Sequence, residues 1–241
     1  MKKFNVSVLG TGFVGLTSAL CFAQRGVKVV ASTHDEKKAN LINQGITPFY
    51  ELGLEEMLKE IVNREDCNFK CLVGREQAIL DTDISMITVG TPIKVDRSID
   101  LSLMEKTARE IGEVMKRKDK YHLVVVRSTV VPGTTRNIVG ETIKKISGKE
   151  PGKDFGLCMQ PEFLAEGRSI EDTLYPDRII IGEFDKKSGD ILQELYKFIY
   201  RDHLKKAPIL RMNLESAELV KYGNNCMLAT KISFANEFAN L

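Results

Sequence analysis

The run Gly10-Thr11-Gly12-Phe13-Val14-Gly15 has the composition to hold a pyrophosphate. Glycines at these spacings let backbone amides come close to an anion, and a helix opening at Phe13 and Val14 would point its N-terminal amides at the same place. Lys221 and Asn225 form a second group. Four residues apart, they share one face if their segment is helical, so a cation and an amide could address one oxygen on which negative charge develops. Spacing alone equally allows two ordinary surface residues. Glu162 and Glu166, taken alone, are loop carboxylates that solvent would cover.

These groups need a scaffold, and the hydropathy pattern supplies one. Phe4 to Leu9 is a short apolar run ending in glycine, Phe13 to Gln24 has helical spacing with a stop at Gly26, and Val27 to Ala31 reads as a second buried strand. The alternation continues with helical patterns at 35–44, 53–64, 101–116 and 186–199, and another after Pro132-Gly133. Strands are expected at Ile84 to Val89, Leu123 to Arg127, Phe155 to Met159 and Arg178 to Ile181. Strands alternating with helices imply an α/β protein with a Rossmann-like, doubly wound parallel sheet. From Leu214 to Leu241 there is no Pro and apolar residues recur at three- and four-residue spacing, which predicts one long C-terminal helix. The expected division is a dinucleotide-binding domain over 1–211 and the start of a long helix over 212–241.

In such a sheet the phosphate turn sits between the first strand and first helix, and ligands gather outside the carboxyl ends of the strands. The turns Thr88-Val89-Gly90-Thr91-Pro92 and Arg127-Ser128-Thr129-Val130-Val131-Pro132-Gly133 end strands on that same edge. An acidic residue roughly 20 residues after the glycines would be expected to bind the adenosine ribose of NAD. Ser32-Thr33-His34 stand there instead, and Asp35 reads as the N-cap of the next helix. NAD is the expected cofactor. NADP stays open, because no carboxylate repels a 2′-phosphate and Ser32, Thr33, Lys37 and Lys38 could receive one.

The net charge of +2 is spread along the chain, so nothing points to nucleic acid or to an anionic membrane surface. Lys-rich stretches such as Lys116 to Lys120 read as solvated helix ends. Five cysteines at irregular spacing argue against a disulfide framework and against a zinc site, so no metal is expected and a cytoplasmic location is the natural reading. No apolar run approaches the roughly 18 residues that span a bilayer.

Several segments together resemble the UDP-glucose/GDP-mannose dehydrogenase family. They are Gly10 to Gly15, Ile46-Thr47-Pro48-Phe49-Tyr50-Glu51-Leu52-Gly53-Leu54, the turn ending at Pro92, Arg127-Ser128-Thr129, Gln160-Pro161-Glu162-Phe163-Leu164-Ala165-Glu166-Gly167, and Lys221-Tyr222-Gly223-Asn224-Asn225. The resemblance implies a nucleotide-sugar 6-dehydrogenase that oxidises a sugar C6 alcohol to a carboxylate in two NAD-dependent steps, through an aldehyde and a cysteine thioester. It implies that Gly10, Gly12, Phe13, Val14, Gly15, Thr33, Lys38, Thr91, Thr129 and Glu166 contact the cofactor. Thr129 would also place the catalytic water, and Glu166 would assist thioester hydrolysis. Glu162, Phe163, Leu164, Ala165 and Glu166 would line the substrate, and Lys221 and Asn225 would stabilise the oxyanion at C6. The segment Ser169 to Arg178 resembles the UDP-glucose branch more than the GDP-mannose or N-acetylmannosamine branches. Leu52, Arg97 and Ala165 depart from the family pattern.

The family's nucleophilic cysteine and its UDP-binding domain follow the long helix and are expected to be absent here, so the chain reads as a truncated N-terminal half. None of Cys21, Cys67, Cys71, Cys158 and Cys226 has the nucleophile's context. The resemblance also implies a homodimer built on the 214–241 helix. Two other readings stay open: a non-catalytic dinucleotide-binding module, and a β-hydroxyacid-type dehydrogenase that shares the first domain.

Overall fold

The structure is a computed structural model that describes residues 4–201, 203, 204 and 207–240. Strands and helices alternate along the described chain: β1 (Asn5–Leu9), α1 (Phe13–Gln24), β2 (Lys28–Thr33), α2 (Glu36–Asn43), α3 (Leu54–Val62), β3 (Phe69–Val73), α4 (Glu76–Leu80), β4 (Ile84–Ile87), α5 (Ser102–Met115) and β5 (His122–Val126). A π-helical turn, Thr135–Gly140, then runs into α6 (Glu141–Ser147), followed by β6 (Phe155–Met159), α7 (Ser169–Leu174), β7 (Ile179–Glu183), α8 (Lys186–Ile199), β8 (Ile209–Asn213) and α9 (Leu214–Ala239).

The strands form one sheet in the order β3-β2-β1-β4-β5-β6-β7-β8. Its central strands are apolar at nearly every position because both faces are covered. On β5, Leu123 and Val125 join the core under α1, α3 and α8, whereas Val124 and Val126 join the core under α5 and α6. From β1 the chain winds one way through β2 and β3, and the other way from β4 onward. The crevice between β1 and β4 is therefore the topological switch point, where ligands of open α/β sheets bind.

The sheet departs from the expected all-parallel arrangement at one end. β7 pairs antiparallel with β6, through Cys158↔Glu183 and Met159↔Gly182, and β8 runs parallel to β7. The physical reason lies in the connection: residues 160–178 contain only the short α7 and do not carry the chain back to the opposite edge, so β7 starts where β6 ends. The edge strands β3 and β8 and the short α4 and α7 were not legible as regular elements. Edge strands are half-solvated, and β3 alternates buried and exposed residues instead of forming an apolar run. β8 continues to Asn213, past the 211/212 boundary. Leu241, the last residue of the expected long helix, lies outside the described residues.

At the amino edge of the sheet, away from the switch point, lies a buried polar cluster. His122 Nε2 bonds Ser85 Oγ at 2.7 Å, and Ser85 Oγ bonds Ser7 Oγ at 2.7 Å. Lys118 was expected to be a solvated helix-end residue, but it is buried, with its ammonium on the carbonyls of Ile79 at 2.5 Å and of Thr82. Those carbonyls, in the last turn of α4 and just beyond it, give the cation the acceptors that solvent would otherwise supply.

Burial and then the nearby Lys118 charge push His122 down from 6.5 to about 3. Folding thus favours neutral His122, and this contribution is complete above pH about 6.5 and is lost as pH falls toward 3. Denaturant unfolding at pH 7.5 and at pH 5.0 should show a loss of about 2 kcal/mol from this group on acidification. His122→Gln should flatten that slope, and an unchanged slope would contradict a buried neutral imidazole.

Candidate functional site

At the switch point β1 is followed by Gly10, whose φ of +126° suits glycine alone. A Cβ there would meet the Thr88 carbonyl oxygen at 2.8 Å, and a Cβ on Gly15 would meet the Gly10 carbonyl and Thr88 Oγ1. Thr88 Oγ1 in turn donates to the Gly10 carbonyl at 2.9 Å, closing β1 onto β4. Gly12 differs, since a Cβ there would meet nothing within 4 Å. Two of the three glycines are therefore required by packing, and the third faces open space. Gly12 is also the N-cap of α1, which has no capping side chain and no acidic residue in its first turn. An uncapped helix start beside an open cradle is suited to a pyrophosphate, so a dinucleotide fits this turn.

The cradle opens into a cavity of about 250 Å³ lined by Gly12, Phe13, Val14, Gly90, Thr91, Arg127, Ser128, Thr129 and Glu162, among others. Its two walls are tied together: Thr91 Oγ1 donates to the Thr129 carbonyl at 2.8 Å, and Ser128 Oγ donates to the Val89 carbonyl at 2.6 Å. Arg127 is buried, donating from Nε to Ser18 Oγ at 3.1 Å and from Nη1 to Tyr196 Oη at 3.3 Å. A second depression, of about 210 Å³, shares Arg127 and Glu162 with the first and is lined further by Gln160, Phe163, Arg178 and Tyr200.

Where the two meet, Lys221 Nζ pairs with Glu162 Oε1 at 3.0 Å, with Lys221 7% and Glu162 9% exposed. Lys221 on α9 is thus not the surface residue that its spacing alone allowed. The Leu164 amide donates to Glu162 Oε2 at 2.8 Å, fixing the carboxylate. Phe163 lies between two cations, 5.4 Å from Lys221 Nζ and 4.2 Å from the Arg178 guanidinium, which also donates to Asn224 Oδ1 at 3.3 Å. Gly12, Phe13, Val14, Thr91, Thr129 and Glu162 line one cavity and Glu162 brings in Lys221, so seven of the expected residues gather. Ala165 and Glu166 are exposed in the following turn, and Asn225, one helical turn beyond Lys221, is exposed as well.

Two buried carboxylates that support the site carried no expected role. Glu218 accepts from the amides of Gly133 at 2.5 Å and Thr135 at 2.7 Å, joining α9 to the turn after Thr129. Burial raises its pKa, against the lowering effect of those hydrogen bonds. The available signal was helical spacing, because Glu218 precedes Lys221 by three residues. Glu51 accepts from the amides of Gly167 and Ser169, both at 2.9 Å, and from Ser169 Oγ at 2.8 Å. Burial opposes its ionisation, but these bonds hold its pKa below the usual value. It fixes the turn that follows Glu166.

Comparison with known proteins agrees with this geometry. Residues 4–200 match the NAD binding domain of the UDP-glucose/GDP-mannose dehydrogenase family, and residues 215–241 match that family's central domain. The chain is 42% identical over 236 residues to GDP-mannose 6-dehydrogenase from Pseudomonas aeruginosa, covering 98% of this chain and 52% of that protein. It is 38% identical to a UDP-glucose 6-dehydrogenase from Haloferax volcanii, covering 98% of this chain and 54% of that protein. A crystal structure of a ternary complex of the P. aeruginosa GDP-mannose dehydrogenase superposes with a TM-score of 0.90 at 43% identity, covering 96% of this chain and 51% of that one. The chain spans about half the length of the curated relatives it matches.

Gly12→Ala should fold with an unchanged melting temperature and bind NADH about tenfold or more weakly, because its methyl enters the cradle. Gly15→Ala should instead cost about 1–3 kcal/mol of stability through overpacking, with or without ligand. Thermal melts and NADH fluorescence titrations separate the two, and undiminished binding by Gly12→Ala would place the pyrophosphate elsewhere.

Proposed function

Given that the chain belongs to the UDP-glucose/GDP-mannose dehydrogenase family, we propose that it forms the dinucleotide-binding half of a nucleotide-sugar 6-dehydrogenase. The observation that carries this reading is the buried Glu162–Lys221 pair at the inner end of the dinucleotide cleft. NAD, when bound, accepts the hydride that leaves C6 of the sugar. The chain's own residues hold the reactants. The α1 N-terminus and Gly12 bind the pyrophosphate, while Thr91 and Thr129 shape the nicotinamide end and Thr129 orders a water there. Lys221, fixed by Glu162, presents its ammonium to the oxygen on C6 as negative charge builds, and Asn225, one turn further along α9, joins it there. Charge fixed in advance in a dry cleft stabilises such an oxyanion far more than it could in water. Phe163, Leu164 and Ala165 line the sugar, and Glu166 assists the later hydrolysis.

The second oxidation needs a thiolate, and the thiols buried in this chain are poor candidates. Burial pushes Cys21 and Cys71 each up to about 12 and raises Cys158 as well, while Cys226 is exposed on α9. The family resemblance puts the nucleophile and the nucleotide-binding surface in the second half of such an enzyme. UDP-glucose is the preferred substrate on the strength of the Ser169–Arg178 segment. Identity to GDP-mannose 6-dehydrogenases favours GDP-mannose as the second reading.

α9 exposes Leu219, Met227, Leu228, Ile232, Phe234 and Phe238, an apolar surface that a second copy of the chain would cover in a homodimer. Five free thiols suit the reducing cytoplasm. No helix among the described residues is long and apolar enough to cross a membrane.

Mixing the chain with a polypeptide spanning the cysteine-bearing half of such an enzyme should restore NADH formation, two per sugar oxidised, with UDP-glucose ahead of GDP-mannose. Lys221→Met should lower kcat by a factor of about 100–1000 in that mixture. Folded protein that binds dinucleotide but oxidises neither sugar would support a non-catalytic module instead.

A further inference from the structure

In this fold the adenosine end of the dinucleotide lies where the second strand ends. A carboxylate there selects NAD by binding the ribose hydroxyls, and an arginine nearby accommodates the 2′-phosphate of NADP. Here Thr33 closes β2, paired in register with Val73 of β3, and its carbonyl accepts the Gly74 amide at 2.8 Å. Its hydroxyl accepts the Asp35 amide at 3.2 Å. The Asp35 carboxylate is turned into α2, where it accepts the Lys38 amide at 3.0 Å as the helix cap. Ser32, one of the residues that could have received a phosphate, is fully buried and drops out.

The β2–β3 register brings a further residue to this corner. Arg75 follows Gly74 and donates from Nη1 to His34 Nε2 at 2.6 Å and to the Glu110 carboxylate. A guanidinium has no acceptor, so the ring nitrogen facing it must accept. Arg75 is only 8% exposed, and its Nε, buried, has no hydrogen-bond partner. The Glu110 carboxylate is thus committed to Arg75, with its other oxygen 3.5 Å from His34 Nε2, and the Asp35 carboxylate to the helix cap, while Glu36 and Lys38 stand in the first turn of α2.

We infer that the adenosine subsite accepts a 2′-phosphorylated dinucleotide as readily as the plain one, with Thr33 and the Arg75–His34 pair determining that specificity. The inference rests on the dinucleotide reading above and deepens it. A phosphate at Thr33 would find the Asp35 carboxylate engaged as the helix cap and the Glu110 carboxylate engaged by Arg75, with the Arg75 guanidinium against the His34 ring.

The full chain is titrated with NADH and NADPH in parallel, following nucleotide fluorescence. The expected result is NADPH binding tighter than NADH or within about threefold of it. NADPH weaker than NADH by more than that overturns the inference and leaves the dinucleotide reading intact, whereas failure of both to bind a folded chain defeats that reading itself. Thr33→Asp should weaken NADPH by about tenfold or more and spare NADH, because it restores the repelling carboxylate. Arg75→Gln should weaken NADPH alone, and an equal loss of both nucleotides would make Arg75 merely structural and remove it from the assignment.

Discussion

Everything this protein can do depends on one constraint: the parallel strands β1, β2, β4, β5 and β6 all deliver their carboxyl ends to one edge of a single sheet. The strand order reverses at β1 and β4, so a crevice opens there without any side chain having to make it. The glycine turn, the Thr88–Thr91 turn and the Arg127–Thr129 turn are three neighbouring ends on that edge, tied by Thr88 to Gly10 and by Thr91 to Thr129. Even the departure from parallel order serves the same edge, because β7 turns back where β6 ends and the connecting residues bring Glu162 to the cavity there.

The long helix α9 is docked to that edge by charge. Glu218 takes two amides of the turn after Thr129, Lys221 takes Glu162, and the Asn213 side chain caps the helix start on the Ser216 amide at 2.8 Å. A buried ion pair is weak as a source of stability, since desolvation offsets most of the Coulomb attraction, but removing one partner alone is costly. Its value here is positional: the ammonium is held against Glu162, where the two cavities meet. Beyond Lys221 the helix leaves the sheet and its apolar side chains face outward.

How much of this was legible in the sequence follows from what each part rests on. The central strands and α1 were readable because burial on both faces leaves uninterrupted apolar runs, as in Leu123 to Val126. The edge strands β3 and β8 were not, because half-solvated strands look like loops, and without β3 the placement of Arg75 against His34 stayed hidden. The glycine turn was legible as chemistry, although only the folded packing separates the two crowded glycines from Gly12. The burial of Lys221 and Lys118 was invisible, since a lysine's environment depends on long-range contacts, here to Glu162 and to the end of α4. The supporting carboxylates Glu51 and Glu218 were missed for the same reason.

The central claim, that the carboxyl edge at the β1–β4 switch point is the functional site, is tested most directly by amide chemical shifts of the isotope-labelled chain during titration with NADH. Saturable shifts concentrated at Gly10 to Gly15, Thr88 to Thr91 and Arg127 to Thr129, with the Ser7–Ser85–His122 edge unmoved, are the result this account predicts. Shifts at that opposite edge, or saturable binding that leaves the glycine turn unperturbed, would contradict it.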